Sequence, residues 1–376
     1  MTLDIVVFGL SITSSWGNGH ATTYRALLKA LAQRGHRVTF LERDVPWYEA
    51  HRDLANPAYC KVELYSELPE VSRRFAKLVA SADLVILGSY VPDGAVLADW
   101  ITTHTKGITA FYDIDTPITL TALGQGKAEY ITAALIPRFD LYLSFTGGPV
   151  LEIIEKVYGS PRARPLYCSV DPELHKPVAA PTKWRLGYLG TYSEDRQQKL
   201  NSLMISTAKQ LPRESFVVAG SSYPQAMTWP ENIERIDHVP PEAHSRFYCS
   251  QSYTLNITRA NMVAAGFSPS VRLFEAAAAG VPIISDRWPG IESIFTPGEE
   301  ILIADMPERV VKILSELPNT RRRSIAAAAR KRVLANHTAE QRALQLERYY
   351  EEVVARSLVR VRNRALHDDA RMDAAV

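Results

Sequence analysis

The chain predicts an α/β protein made of two doubly wound units that face each other across a cleft. Three observations carry that reading. The 376 residues exceed what one hydrophobic core normally serves, short β-rich runs alternate with longer helical patterns, and one proline-rich break divides the alternation in two. With 46% hydrophobic and 22% charged residues, the composition is that of an ordinary globular protein and excludes a disordered or fibrous one.

In the first unit, strands are read at 4–10 (DIVVFGL), 36–42, 83–90, 107–113, 140–146 and 165–170. Most of these runs are apolar throughout rather than alternating, as strands covered on both faces should be. The intervening HATTYRALLKALAQRG is a helix with Ala26, Leu27, Ala30 and Leu31 on one face and Gly35 as its C-terminal stop. The segment 171–183, DPELHKPVAAPTK, has three prolines and no sustained period, and reads as the linker. Strands resume at 184–192, 215–223, 233–239, 253–258, 281–286 and 300–305. From about Asn319 to Arg362 the pattern is helical, with Thr338, Glu340 and Gln341 marking a helix start. The predicted organisation is 1–170, linker 171–183, 184–337, and a helical extension with tail at 338–376.

Lys plus Arg number 43 against 41 for Asp plus Glu, a net charge of +2, too weak a field to argue for nucleic acid or acidic partners. Cys60, Cys168 and Cys249 are odd in number, lack a CxxC pair and sit in apolar or aromatic surroundings, which points to buried thiols in a reducing compartment rather than a disulfide framework or zinc site. Asp4 stands where a signal peptide would be basic, and no apolar run reaches membrane-spanning length. A cytoplasmic protein is expected.

Ligands of doubly wound sheets bind beyond the carboxyl ends of the strands, so the loops there are the candidate sites. The first, SITSSWGNGHA, offers Trp16, Gly17, Asn18 and Gly19 to a ligand, with Gly17 and Gly19 permitting close backbone approach. Thr22 stands where a third glycine would complete a dinucleotide fingerprint, which argues against a nicotinamide oxidoreductase. His20, at the start of a helix, is either a neutral proton acceptor or a packed helix-end histidine. Asp113 and Asp115, two apart at a strand end before Pro117, could hold a metal, act as general base or bind sugar hydroxyls; otherwise they cap a turn. In the second unit, Gly187, Gly190, Thr191, Arg196 and Lys199 form a loop suited to a diphosphate, or simply a solvated helix start. The most informative segment is SPSVRLFEAAAAGVPIISD at 268–286. There Ser270 opens a helix on which Arg272 and Glu275 lie three apart, as an anion and ribose-diol reader or as a surface ion pair.

With RGHRVTFLERD (34–44), DIDTP (113–117), CSVDPELHKP (168–177) and GYLGTYSEDRQ (187–197) in that order before it, this segment makes the chain resemble the GT-B glycosyltransferases, in particular the CgeB-type spore-maturation group related to glycosyltransferase family four. The resemblance covers nearly the whole chain. It implies a nucleotide-sugar donor in the second unit, an acceptor in the first, and a final helix that crosses back to the first. In family four two glutamates lie eight apart and the second binds the ribose; Glu275 matches the second, while Phe267 stands at the first. Arg196 takes the place of a diphosphate-binding lysine, and Asp113 falls near a family histidine.

The donor set thus expected is Gly190, Thr191, Arg196, Gly220, His238, Val239, Arg259, Ser270, Arg272, Phe274 and Glu275, with Asp113, His20 and Asp115 as catalytic candidates. With Glu275 as ribose ligand a UDP-sugar is expected first and a GDP-sugar second. Arg196, Arg272 and Arg259 with helix amides can stand in for a metal, so no metal and no other cofactor is expected, and the family-four kinship implies retention. The acceptor, whether glycan, small molecule or protein, and the oligomeric state stay open. Two alternatives remain: a nucleotide-sugar epimerase or hydrolase, and a structural protein that has kept the fold without activity.

Overall fold

The computed structural model describes residues 1–373, with side chains through Arg356. Seven parallel strands form the first sheet: β1 (Asp4–Gly9), β2 (Arg37–Arg43), β3 (Lys61–Tyr65), β4 (Leu84–Gly88), β5 (Ile108–Asp113), β6 (Leu141–Ser144) and β7 (Ala163–Pro165). Six form the second: β8 (Trp184–Leu189), β9 (Phe216–Ala219), β10 (Ile233–Ile236), β11 (Gln251–Asn256), β12 (Ile283–Ser285) and β13 (Leu302–Ile303). The orders are β3-β2-β1-β4-β5-β6-β7 and β10-β9-β8-β11-β12-β13. Each reverses direction between its first strand and its fourth, at β1/β4 and at β8/β11, which opens a crevice at the carboxyl ends there. The predicted fold class holds, and the two crevices face one another.

The central strands are buried because their sequences are apolar on both faces. Leu84–Gly88, LVILG, is buried along its whole length, and Val6, Phe8, Leu41, Val85 and Phe111 pack in one layer with Phe75 and Val79 of the helix Leu68–Ser81. On the other face Ile5, Val7, Phe40 and Ile86 meet Leu27 and Leu31 of the helix Gly19–Gln33. That helix stops where expected: Gly35 adopts φ of +89°, a conformation that costs glycine no steric penalty.

Two strand readings need correction. β3 is absent from the sequence reading because Lys61–Tyr65 is an edge strand whose alternating KVELY carries charge on its open side. The strand expected at 165–170 ends at Pro165 and begins at Ala163. Beyond it the chain leaves the sheet to pass beneath the last helix, where the Val170 amide donates to the His337 carbonyl and the Ala339 amide donates to the Val170 carbonyl.

The helix Ala339–Asp373 does cross back to the first unit. Ala339, Ala343, Leu346, Tyr349 and Val353 enter the same core layer as Ile5 and Leu27. Arg34 grips Glu347 through two hydrogen bonds of 2.5 and 2.7 Å. Residues 374–376 of the expected tail lie outside the described residues.

Candidate functional site

A cavity of about 250 Å³ lies where the two crevices meet. Its first-unit wall is the loop after β1, and its second-unit wall comes from the loops after β8, β9 and β10 and the helix Val271–Ala278.

The loop after β1 is held from below by Glu42. This carboxylate accepts from the Ile12 amide (2.8 Å), the Thr13 amide (3.1 Å) and the Ser11 and Thr13 hydroxyls (2.8 and 2.6 Å). Glu42 therefore shapes an anchor for the loop, a role invisible to a dinucleotide motif search. Asn18 caps the helix: its Oδ1 accepts from the His20 amide at 3.1 Å, and its amide nitrogen donates to the Ser11 and Ser14 carbonyls. Gly17 takes φ of +62°, and neither Gly17 nor Gly19 has any atom within 4 Å of where a Cβ would stand, so both open onto the cavity. Trp16 does not line it; the indole is exposed and stacks on His51 with ring centroids 4.3 Å apart.

On the opposite wall, Gly190 and Gly220 bring two strand ends into backbone contact, since a Cβ on Gly220 would stand 2.1 Å from the Gly190 carbonyl oxygen. Thr191, Arg196, His238 and Val239 also face the cavity. Arg196 donates to the Thr191 carbonyl at 2.6 Å, while its enclosed Nε has no protein partner. Arg272 is buried over the Tyr188 ring, its Nε donating to the Leu189 carbonyl at 2.5 Å and Nη1 to Asn256 Oδ1 at 2.8 Å. Those bonds aim the guanidinium at the strand end beside Gly190. Ser270 supports it by donating to the same Asn256 oxygen at 2.7 Å. Lys199 pairs with Asp286, which removes its charge from a diphosphate.

Glu275 is 2% exposed, so the surface ion pair with Arg272 does not form. Instead the carboxylate accepts from the Tyr248 hydroxyl at 2.9 Å, with His244 Nδ1 at 3.4 Å and His175 Nε2 at 3.5 Å. Burial works to raise its pKa, but the two histidines outweigh this and hold it well below the usual carboxylate range. Burial likewise opposes charge on His244, and the Glu275 carboxylate outweighs it, raising the pKa of the ring. His175, His244 and Glu275 each offer one ligand atom within 4.8 Å of the others, the grouping among the described residues that could converge on a cation. None of Tyr248, His244 and His175 was found from the sequence, because they sit in PPEAHSRFY and in the linker, where no local period marks them.

The paired-carboxylate reading is overturned. Asp113 points into the first unit, fully buried, and takes hydrogen bonds from the Tyr142 hydroxyl (2.5 Å), the Thr119 hydroxyl (2.8 Å) and the Asp115 amide (3.2 Å). Burial pushes its pKa up to about 6. Asp113 thus braces the helix Thr116–Gly124 and does not reach the cavity. Asp115 turns the other way, accepting from the Tyr90 hydroxyl at 2.9 Å and from Arg259 Nη1 at 3.3 Å. Arg259 belongs to the second unit and also meets Asp195 at 3.3 Å, so it ties the two units beside the cavity instead of lining it. His20 lies against the Tyr90 ring; burial lowers its pKa to about 4, and its enclosed Nδ1 has no partner. Phe274 is likewise corrected: it is core, completely buried and stacked on His337 at 4.8 Å, so it touches no donor.

Comparison with known proteins agrees with this architecture. Residues 196–348 match the family model described as glycosyl transferase-like. No curated protein sequence matches significantly. Among solved structures, sucrose-phosphate synthase from Thermosynechococcus elongatus is 16% identical, with a TM-score of 0.66 over 93% of this chain and 99% of that one. HepE of Anabaena, in complex with UDP and glucose, is 11% identical, with a TM-score of 0.70 over 93% of this chain and 100% of its own. An alpha-glucosyltransferase in complex with UDP and a 13-mer DNA containing a HMU base is 11% identical, with a TM-score of 0.69 over 94% of this chain and 100% of its own. The fold is the GT-B fold of glycosyltransferases, and its C-terminal half carries a glycosyl transferase-like sequence.

Proposed function

We propose that this protein is a glycosyltransferase that moves a sugar from a nucleoside-diphosphate donor to an acceptor held by the first unit. The observation that carries the reading is the convergence of buried Arg272 and Glu275 with Arg196 on one cavity, opposite the Gly17–Gly19 loop. A buried carboxylate facing a cavity suits the two hydroxyls of a ribose. Arg196 and Arg272, fixed before the reaction starts, suit the charge that grows on the leaving diphosphate. These cations and the amides beside Gly190 and Thr191 would serve in place of a metal ion.

Glu275 as ribose ligand favours a UDP-sugar, with a GDP-sugar second, over a donor lacking the 2′-hydroxyl. That several similar structures contain UDP supports the same choice. Residues 1–170 form the acceptor unit in this reading and residues 184–337 the donor unit. With Asp113 enclosed, His20 and Asp115, which flank the cavity without lining it, are the remaining candidates to orient an acceptor hydroxyl, His20 as a neutral ring able to accept a proton. Retention and kinship with the CgeB-type group follow the resemblance of the ordered segments. Cys60, Cys168 and Cys249 are free thiols, of which Cys168 is buried as expected and Cys60 and Cys249 are only half-buried. They support a reducing, cytoplasmic setting, and no helix among the described residues is long and apolar enough to cross a membrane.

Thermal-shift titration with UDP, GDP and dTDP tests the donor class, and UDP is expected to stabilise the protein most. Replacing Arg272 or Glu275 with Ala should abolish both the shift and transfer while circular dichroism stays native. Undiminished transfer by both variants would sink the assignment, and equal stabilisation by UDP and dTDP would refute the ribose contact.

A further inference from the structure

The three groups around the Glu275 carboxylate come from two separate segments that the structure ties together. Tyr248 and His244 belong to the helix His244–Cys249, whereas His175 belongs to the connector between the two sheets. Ser245 joins them: its hydroxyl donates to the Leu174 carbonyl at 2.8 Å and accepts from the Lys176 amide at 3.1 Å. The position of His175 is therefore set by the residue next to His244.

Within this cluster the oxygens of Glu275 are not equivalent. Oε2 accepts the Tyr248 hydroxyl and lies 3.4 Å from His244 Nδ1; Oε1 lies 3.5 Å from His175 Nε2. His244 Nε2 lies 3.1 Å from the Val239 carbonyl, an acceptor only, so that nitrogen carries a hydrogen. Its Nδ1 is left facing the carboxylate. His175 is 1% exposed by side chain, yet neither of its nitrogens has a hydrogen-bond partner. An apolar ring would fill that space without stranding two buried polar atoms, which is costly unless they serve a charged neighbour.

We propose that His244 and His175 are positioning residues that act through Glu275 and set the preference of the site for ribose over 2′-deoxyribose. The proposal rests on Glu275 being the ribose ligand. Tyr248 hydrogen-bonds one oxygen, His244 Nδ1 faces that oxygen at 3.4 Å without a hydrogen bond, and His175 Nε2 faces the other at 3.5 Å, so the two buried rings limit the rotation of the carboxylate from both sides. The plane of the carboxylate is thereby set before a nucleotide arrives. A diol needs both oxygens, or one oxygen at a defined angle, whereas a 2′-deoxyribose has only one of the two donors. Rotational freedom in Glu275 therefore weakens ribose binding more than deoxyribose binding.

Calorimetric titration of UDP and 2′-deoxy-UDP into the full chain tests this, comparing wild type with His244→Ala, His244→Asn, His175→Ala and His175→Phe. Wild type should prefer UDP by about tenfold or more, the worth of one hydrogen bond to a charged group. His244→Ala, His175→Ala and His175→Phe should lower UDP affinity about fivefold or more with little change for 2′-deoxy-UDP. His244→Asn, which can keep a donor near the position of Nδ1, should restore part of the ratio. Equal losses for both nucleotides, or an unchanged ratio in natively folded variants, would overturn the proposal and leave the histidines as packing. If wild type binds UDP without preferring it, the ribose assignment of Glu275 itself fails. If zinc removal by a chelator changes the wild-type ratio as much as the substitutions do, the cluster is a cation site and the positioning role is wrong.

Discussion

Asp113 and His20 show what burial does to a single ionisable side chain. Each lies at the carboxyl end of the first sheet, and each was a candidate catalyst from sequence; the structure gives one to the interior and leaves the other beside Tyr90. Their titrations oppose one another. Asp113, raised to about 6, binds its proton more tightly folded than unfolded, so its contribution falls as pH rises from about 4 to 6. His20, lowered to about 4, is neutral in the fold, so its contribution is present above about 6.5 and is lost as pH falls toward 4. Wild type should therefore show a muted dependence from this pair. Asp113→Asn should make stability rise more steeply with pH, by a total on the order of 3 kcal/mol across that window. His20→Gln should tilt it the other way. Urea unfolding at several pH values checks both; parallel curves for all three proteins would exclude these shifts.

Short elements decide which glycines matter. Gly190 and Gly220 were grouped from sequence as loop residues near a donor, yet they face different neighbours. A Cβ at Gly190 would stand 2.7 Å from the Tyr188 hydroxyl and 2.8 Å from Arg272 Nη2, side-chain ends that can shift, Arg272 by loosening its bonds to Leu189 and Asn256. A Cβ at Gly220, at φ of +139°, would meet the Gly190 carbonyl, which cannot. Gly190→Ala should thus displace Arg272, weakening UDP binding about tenfold with a melting temperature close to wild type. Gly220→Ala should cost about 2 kcal/mol or more of stability. Differential scanning calorimetry with nucleotide titration separates the two. The strands buried on both faces were legible because apolar β-branched runs have few other uses in a βα series. The edge strand Lys61–Tyr65 was not, because half-exposed edges carry the charges that loops also carry.

At the scale of the molecule, two sheets of the same winding meet at their carboxyl ends and are tied across the cleft. Thr146 bonds Ser268 at 2.7 Å, the Gly147 amide donates to the Phe267 carbonyl at 3.0 Å, and Arg259 bridges Asp115 and Asp195. Phe267, where the resemblance leads one to expect a glutamate, packs its ring where a Cβ on Gly148 of the first unit would stand, 2.3 Å away. The last helix completes the first core, and Arg342 on it is 2% exposed and donates to the Tyr167 carbonyl at 3.0 Å. A chain ending at Thr338 would uncover the layer formed by Leu27, Leu31 and their partners. Burying each large apolar side chain contributes roughly 1.5–3 kcal/mol, so the loss approaches the whole stability of a domain. Such a chain should lose its cooperative first-unit transition in thermal melts; a native-like melt would show that the helix is dispensable.

The amino-acid sequence alone determined the alternation of strands and helices, hence two parallel sheets, the break between them, and the helix bearing Arg272 and Glu275. These are local periods and local stops, readable within a dozen residues. Only the tertiary structure decided that Asp113 turns inward to Tyr142, that Phe274 is core, and that His175, His244 and Tyr248 gather on Glu275. Those contacts join residues far apart in the chain, and burial and charge act on where side chains meet, not on where they stand in the sequence.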